Sequence, residues 1–163
     1  MDFLSQHGVS ALGSRLRRLL DRLDRDMAAT YRDAGVGFEA RWYPVFVVLR
    51  DEGPLSVGAM AARLGVTHAA VSQVRAALEA EGLIGAEPDP ADGRRQLLSL
   101  TSHGRAVDDR LQPLWTAVAA AAAQLLDEGA PALMADLDGL DRALDRCGLR
   151  ARVDRIFTLE PSQ

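Results

Sequence analysis

Apolar positions along this chain recur mostly at three- and four-residue spacing, and the interruptions fall on glycine and proline. From about Val9 to Arg32, Leu12, Leu16, Leu19, Leu20, Leu23, Met27 and Tyr31 make one stripe. Arg15, Arg18, Arg22 and Arg25 share the polar side with Asp21 and Asp24. This spacing predicts a long amphipathic helix whose stripe needs a partner, supplied by the C-terminal helices or by another subunit. Ala34-Gly35-Val36-Gly37 is a turn, and Phe38 to Glu52 predicts the next helix, closed by Gly53-Pro54. Pro44 then either lies in the first turn, where its missing N–H costs nothing, or kinks the helix.

The stretch from Ser56 to Ile84 organises the rest. Val57, Met60, Ala61 and Leu64 recur at helical spacing, Gly65 and Val66 break the run, and Thr67 can cap a second helix with Val71, Val74 and Leu78 inside. Gly65 suits the left-handed backbone that ends a helix abruptly, the small Ala61 suits a close crossing, and Val66 is expected to plug the corner. This is a helix-turn-helix. Its outward set, His68, Ala69, Ser72, Gln73, Arg75, Ala76 and Glu79, is placed to meet the edges of base pairs in a major groove. Two short helices joined by glycine also occur in all-α cores that touch no nucleic acid, so the following segment carries much of the weight.

There the period changes. Leu83 to Pro88, the turn residues Asp89-Pro90-Ala91-Asp92-Gly93, and Arg94 to Leu100 predict a hairpin, the wing of a winged helix. Thr101 can cap a helix running to about Glu128, with Pro113 implying a kink or break. Pro131 opens a last helix holding Leu133, Met134, Leu137, Leu140 and Leu144, a short helical turn around Arg150 to Phe157 follows, and Glu160 to Gln163 are expected to fray.

Composition changes this picture little. At 163 residues and 48% hydrophobic content, the chain suits one compact domain or a small domain with helical extensions. The alanine-rich run Val118 to Ala123 is far too short to span a bilayer, and the N-terminus lacks a basic flank before an apolar core, so a cytoplasmic protein without membrane contact is expected. Cys147 is the only cysteine, which fits a reducing compartment and a packing role. The net charge is −4, and from Ser56 to Arg105 five arginines meet five acids, so any DNA contact depends on where the arginines sit.

Taken together, the helix-turn-helix, the wing carrying DPADGRRQLLSLTSHG and the long flanking helices resemble a MarR-family regulator from about Leu12 to Leu126. The resemblance is most specific at Asp92, Arg94, Leu98, Leu100, Thr101 and Gly104. It implies a mainly α fold, a winged helix-turn-helix with a two-stranded wing between N- and C-terminal dimerisation helices. Residues 1–37 and 105–163 would form the dimerisation region and 38–104 the DNA-binding domain.

Proteins similar to this are homodimers that bind a pseudo-palindromic site in double-stranded DNA, here through recognition helix 67–81 and wing 85–99. Thr67, His68, Ala69, Ser72 and Gln73 would face the major groove, Ala69 against a thymine methyl. Arg94, aligned by an ion pair to Asp92, would enter the minor groove, with Arg95 and Arg75 on phosphate. Gly93 stands where an arginine is frequent, and Ala69 and Ala70 where polar residues often occur, so modest sequence discrimination is expected. The segment from Gly13 to Phe46 also looks like the regulator half of proteins that fuse such a module to a GNAT acetyltransferase, but no acyl-CoA loop is present.

Family members commonly hold a small aromatic or anionic ligand near the junction of helical and winged parts. Tyr31, Phe38, Arg41, Trp42, Phe46 and Trp115 are the candidate pocket, with Arg41 gripping a carboxylate beside Trp42; filling the junction is the competing role for these side chains. Nothing in the sequence supports an enzyme, a cofactor or a metal site: His7, His68 and His103 are far apart, and no phosphate loop or nucleophile motif appears. The other reading is a winged helix that engages protein partners without specific DNA binding, which the acidic balance would suit.

Overall fold

A computed structural model describes residues 3–159, apart from the side chains of Phe3, Ser5 and Leu159. The expected fraying of Glu160 to Gln163 lies outside the described residues. A short helix α1 (Phe3–Gln6) and a 3-10 turn (Gly8–Ala11) lead into α2 (Leu12–Asp33), and a second 3-10 turn (Ala40–Trp42) precedes α3 (Tyr43–Glu52). Then come α4 (Val57–Leu64), α5 (His68–Ala80), the strands β1 (Ile84–Pro88) and β2 (Gln96–Leu100), α6 (Ser102–Gly129), α7 (Leu133–Arg146) and α8 (Leu149–Leu159). The fold is mainly α with one antiparallel hairpin, as the sequence predicts.

The residues fall into two compact units that divide at Arg110 and Leu111, within α6. In the first, α3, α4, α5 and the hairpin enclose a core of Phe46, Met60, Val71, Leu78 and Leu98, each at most 1% exposed. Complete burial of five large side chains stabilises this unit by about 1.5–3 kcal/mol each. In the second, Leu111 and Trp115 are buried on α6, whereas α7 buries no residue and α8 leaves Leu149, Val153, Ile156 and Phe157 between 53% and 81% exposed.

Three local expectations change. The helix predicted from Phe38 begins at Tyr43, and Pro44 sits in its first turn, where the missing N–H costs nothing. Val66 does not plug the corner of the helix-turn-helix; it is 46% exposed. Backbone closes that corner instead. Gly65 takes φ 66°, and the Val66 amide donates to the Ala61 carbonyl at 3.1 Å. Last, α8 has 11 residues where a short turn was expected; in α6 the break allowed for at Pro113 does not occur, and the helix runs from Ser102 to Gly129.

Candidate nucleic-acid interface and aromatic cleft

The recognition helix is held at its start by the Thr67 hydroxyl, which accepts from the Ala70 amide at 3.2 Å. Val71 and Leu78 turn inward, which leaves Thr67, His68, Ala69, Ser72 and Gln73 exposed along one side. These five are brought together on the surface. The ring of His68 also lies against Gly58 at the start of α4, with its Cε1 3.3 Å from where a β-carbon would stand.

At the wing, the turn is locked by local hydrogen bonds. The Asp89 carboxylate accepts from the Ala91 amide at 2.8 Å, the Asp89 amide donates to the Arg95 carbonyl at 3.0 Å, and the Arg95 amide donates to the Asp92 carbonyl at 2.8 Å. The ion pair expected between Asp92 and Arg94 is not the one formed. Asp92 accepts from the backbone amide of Arg94 at 3.2 Å and pairs with the guanidinium of Arg95 at 3.3 Å. In so tight a turn the carboxylate reaches the amide two residues on, which fixes the backbone of Arg94 and leaves its side chain exposed.

Arg75 also departs from its expected place. Its Nε pairs with Glu79 at 2.9 Å, its Nη2 donates to the Gln96 side chain at 3.0 Å, and its side chain is only 27% exposed. Glu79 belongs to the outward set read from the sequence, but Gln96 is absent from it. So are Ser56, Val57, Gly58 and Ala59, which with Arg75, Arg94, Arg95 and Gln96 line a cleft of about 660 Å³ between α4 and the wing. Ser56 carried a legible signal as an N-cap, and its hydroxyl accepts from the Ala59 amide at 3.2 Å. Gln96 carried none.

A second cleft, also about 660 Å³, opens beside the end of α2, lined by Asp24, Ala28, Tyr31, Arg32, the segment Gly35 to Trp42, and Glu81. Behind it Phe38 is the hub of an aromatic cluster, with ring centroids 5.2 Å from Tyr31, 5.6 Å from Trp42 and 5.3 Å from Phe46. Tyr31, Phe38, Trp42 and Phe46 therefore do come together, and all four are buried. Arg41 does not reach toward the rings as a free cation: it is bound to Glu39 at 2.7 Å with 68% of its side chain exposed. Trp115 belongs to the second unit. The Trp42 indole nitrogen is buried with no hydrogen-bond acceptor.

Elsewhere Arg50 binds Asp51 at 2.6 Å and reaches Asp108 at 3.5 Å. The hydrogen bond to Asp51 raises the guanidinium above its ordinary value, and the same bond holds the Asp51 carboxyl below the usual carboxylate value. Among the described residues no group of acids, histidines and cysteine is placed to hold a metal ion, and no helix is long and apolar enough to cross a membrane.

Residues 36–95 match the MarR family model, a span that runs from the turn before α3 to the wing arginines. Across that span the chain resembles the MarR family. Among solved structures, the chain is similar to a probable transcriptional regulator from Pseudomonas aeruginosa, at 28% identity, TM-score 0.59, and coverage of 82% of this chain and 96% of that one. It is also similar to BpsR of Bordetella bronchiseptica, whose DNA binding is regulated by 6-hydroxynicotinic acid, at 26% identity, TM-score 0.56 and coverage of 78% and 91%. NMB1585, a MarR-family regulator from Neisseria meningitidis, matches at 25% identity, TM-score 0.55 and coverage of 90% and 96%. No curated protein matches. The chain has the fold of MarR transcriptional regulators.

Proposed function

We propose that this protein is a homodimeric transcriptional regulator that binds a pseudo-palindromic site in double-stranded DNA. The supporting observation is the pairing of an exposed recognition face with a wing whose tip offers Arg94 on a pinned backbone. Thr67, His68, Ala69, Ser72 and Gln73 lie in the major groove. Arg94 enters the minor groove and Arg95 contacts phosphate, its charge moderated by Asp92. Since Ala69 and Ala70 supply no hydrogen bonds, direct base readout rests on few groups, and groove shape sensed by Arg94 carries a larger share of selectivity.

The test is an anisotropy titration against the DNA upstream of the protein's own gene at several salt concentrations. Affinity should fall steeply with salt as counterions are released. Arg94→Ala should weaken binding to all sequences and reduce the salt slope by about 2, one contact being lost from each protomer. A flat salt response in the unmodified protein would favour the protein-partner reading; an unchanged slope in the variant would remove Arg94 from the interface.

The same reading includes release by a small aromatic ligand seated in the cleft beside Trp42. It is supported by the cleft's size and by the indole N–H that lacks an acceptor. With Arg41 held by Glu39, the cationic wall is Arg32. Adding 6-hydroxynicotinic acid as the probe should give a saturable change in tryptophan fluorescence that disappears in Trp42→Phe while Trp115 is retained. A response that persists in that variant would place the ligand elsewhere.

A further inference from the structure

We infer that Arg75 is a positioning residue that fixes the height of the wing above the recognition helix, and that it does not contact phosphate. The functional consequence rests on the DNA-binding reading above; the mechanical one does not.

The hairpin is anchored at its base and bare at its tip. Leu98 and Leu100 are buried, and Leu98 exchanges both backbone hydrogen bonds with Leu55 at 2.8 and 3.1 Å. Beyond that point Glu87, Pro88, Arg94, Arg95 and Gln96 are exposed. The outermost rung pairs Gln96 with Pro88, which has no N–H to give to a ladder. The tip that carries Arg94 therefore extends from a short strand pair whose far end is weakly closed.

Side chains alternate along a strand, so Gln96 shares the inward face of β2 with Leu98 and Leu100. On α5, Arg75 lies four residues after Val71 and three before Leu78, the two buried anchors of that helix, and so stands at the edge of its inner face. The two side chains meet in the angle between helix and strand. Glu79 takes the Nε of Arg75 and the Gln96 oxygen takes Nη2, so the planar guanidinium is held from both sides. A guanidinium fixed in this way braces the hairpin two residues from Arg94. Wing and recognition helix must meet adjacent grooves at one fixed separation, and a brace between them reduces the ordering that DNA would otherwise impose.

Two variants separate brace from phosphate contact. Arg75→Met keeps the aliphatic stem and removes the guanidinium; Gln96→Leu removes the acceptor without changing any charge. In the free protein, hydrogen exchange at the Asp89 amide, bonded to Arg95 across the tip, should accelerate roughly threefold to tenfold in either variant. Exchange at the Leu98 amide should stay as it was. Unchanged exchange at Asp89 overturns the brace whether or not the protein binds DNA.

On DNA, both variants should raise Kd by a similar factor, roughly threefold to tenfold, with the salt slope unaltered and the double variant no worse than either alone. A slope reduced by about 2 in Arg75→Met, one contact from each protomer, with Gln96→Leu binding normally, would return Arg75 to the phosphate backbone. A wild-type protein with no salt-dependent binding would end the DNA reading and leave the exchange result to decide the brace.

Discussion

Gly104→Ala is expected to destabilise this protein by about 3 kcal/mol or more, because the new methyl group has nowhere to go. A β-carbon at position 104 would stand far inside van der Waals contact with the carbonyl oxygen of Leu83, a backbone atom that cannot rotate aside. The same carbonyl accepts the Thr101 amide at 3.0 Å, and the Thr101 hydroxyl donates to the Gly82 carbonyl at 2.7 Å while accepting the Gly104 amide at 2.9 Å. Relief of the clash therefore pulls the first turn of α6 off the end of the helix-turn-helix and breaks its N-cap along with the link to Leu83. The Arg105 guanidinium, bound to the Leu100 carbonyl at 2.7 Å, resists that movement.

Thermal unfolding should register a fall of roughly 6–12 °C for a chain of this size. Gly139→Ala is the counterpart. It lies inside α7 with no atom within 4 Å of a β-carbon, so alanine should stabilise by about 0.5–1 kcal/mol through backbone entropy alone. Equal melting temperatures for the two variants would mean that α6 does not start where the structure has it.

The sensitivity of Gly104 also shows which parts of the fold could be read in advance. Helix spans follow from apolar period and from caps, and at α4 and α5 both were present: Ser56 and Thr67 each accept the amide three residues on, and Gly65 supplies the left-handed turn. The hairpin was legible from its turn residues, because Asp89 and Asp92 bond their own backbone wherever they occur in such a loop. The helix at 149–159 was underread although Leu149, Val153, Ile156 and Phe157 carry the helical period. Its cue was in the chain.

What the sequence could not supply were choices between near-equal partners. Asp92 has arginines at two and three residues' distance, and the one whose amide it takes is not the one whose side chain it pairs. Arg75 was assigned to the outer face of α5, yet a helix with anchors at Val71 and Leu78 places position 75 at the border. Its direction is decided by Gln96, 21 residues away. Arg41 likewise was matched to Trp42 by adjacency, whereas the nearer opposite charge is Glu39. Long-range geometry settles each of these, and periodicity carries no information about it.

In the proposed homodimer, Leu16→Glu with Leu23→Glu should separate the two copies and reduce DNA affinity by more than about 100-fold, since one winged helix then has to bind alone. Along α2, Leu12, Leu16, Leu19, Leu20 and Leu23 are each 40–57% exposed, a continuous apolar stripe on a helix that is otherwise charged. On α7, Met134, Leu137, Leu140 and Leu144 are 37–60% exposed, and the four exposed apolar residues of α8 are 53–81% exposed. Apolar surface of this extent is what the proposed dimer would cover.

If each of these 13 side chains gains about 1 kcal/mol on full burial, two copies together gain about 26 kcal/mol. That exceeds the roughly 4–15 kcal/mol lost on association. Glutamate is a good helix former, so α2 should persist in the double variant and far-UV circular dichroism should change little. Ile156→Glu with Phe157→Glu tests the other end of the chain independently, and should also shift the species from twice the 17.6 kDa chain mass toward a single copy. Sedimentation equilibrium reads both. A wild-type protein that sediments as one chain, or a Leu16, Leu23 variant that remains paired and bound to DNA, would contradict the dimer and with it the requirement for two half-sites.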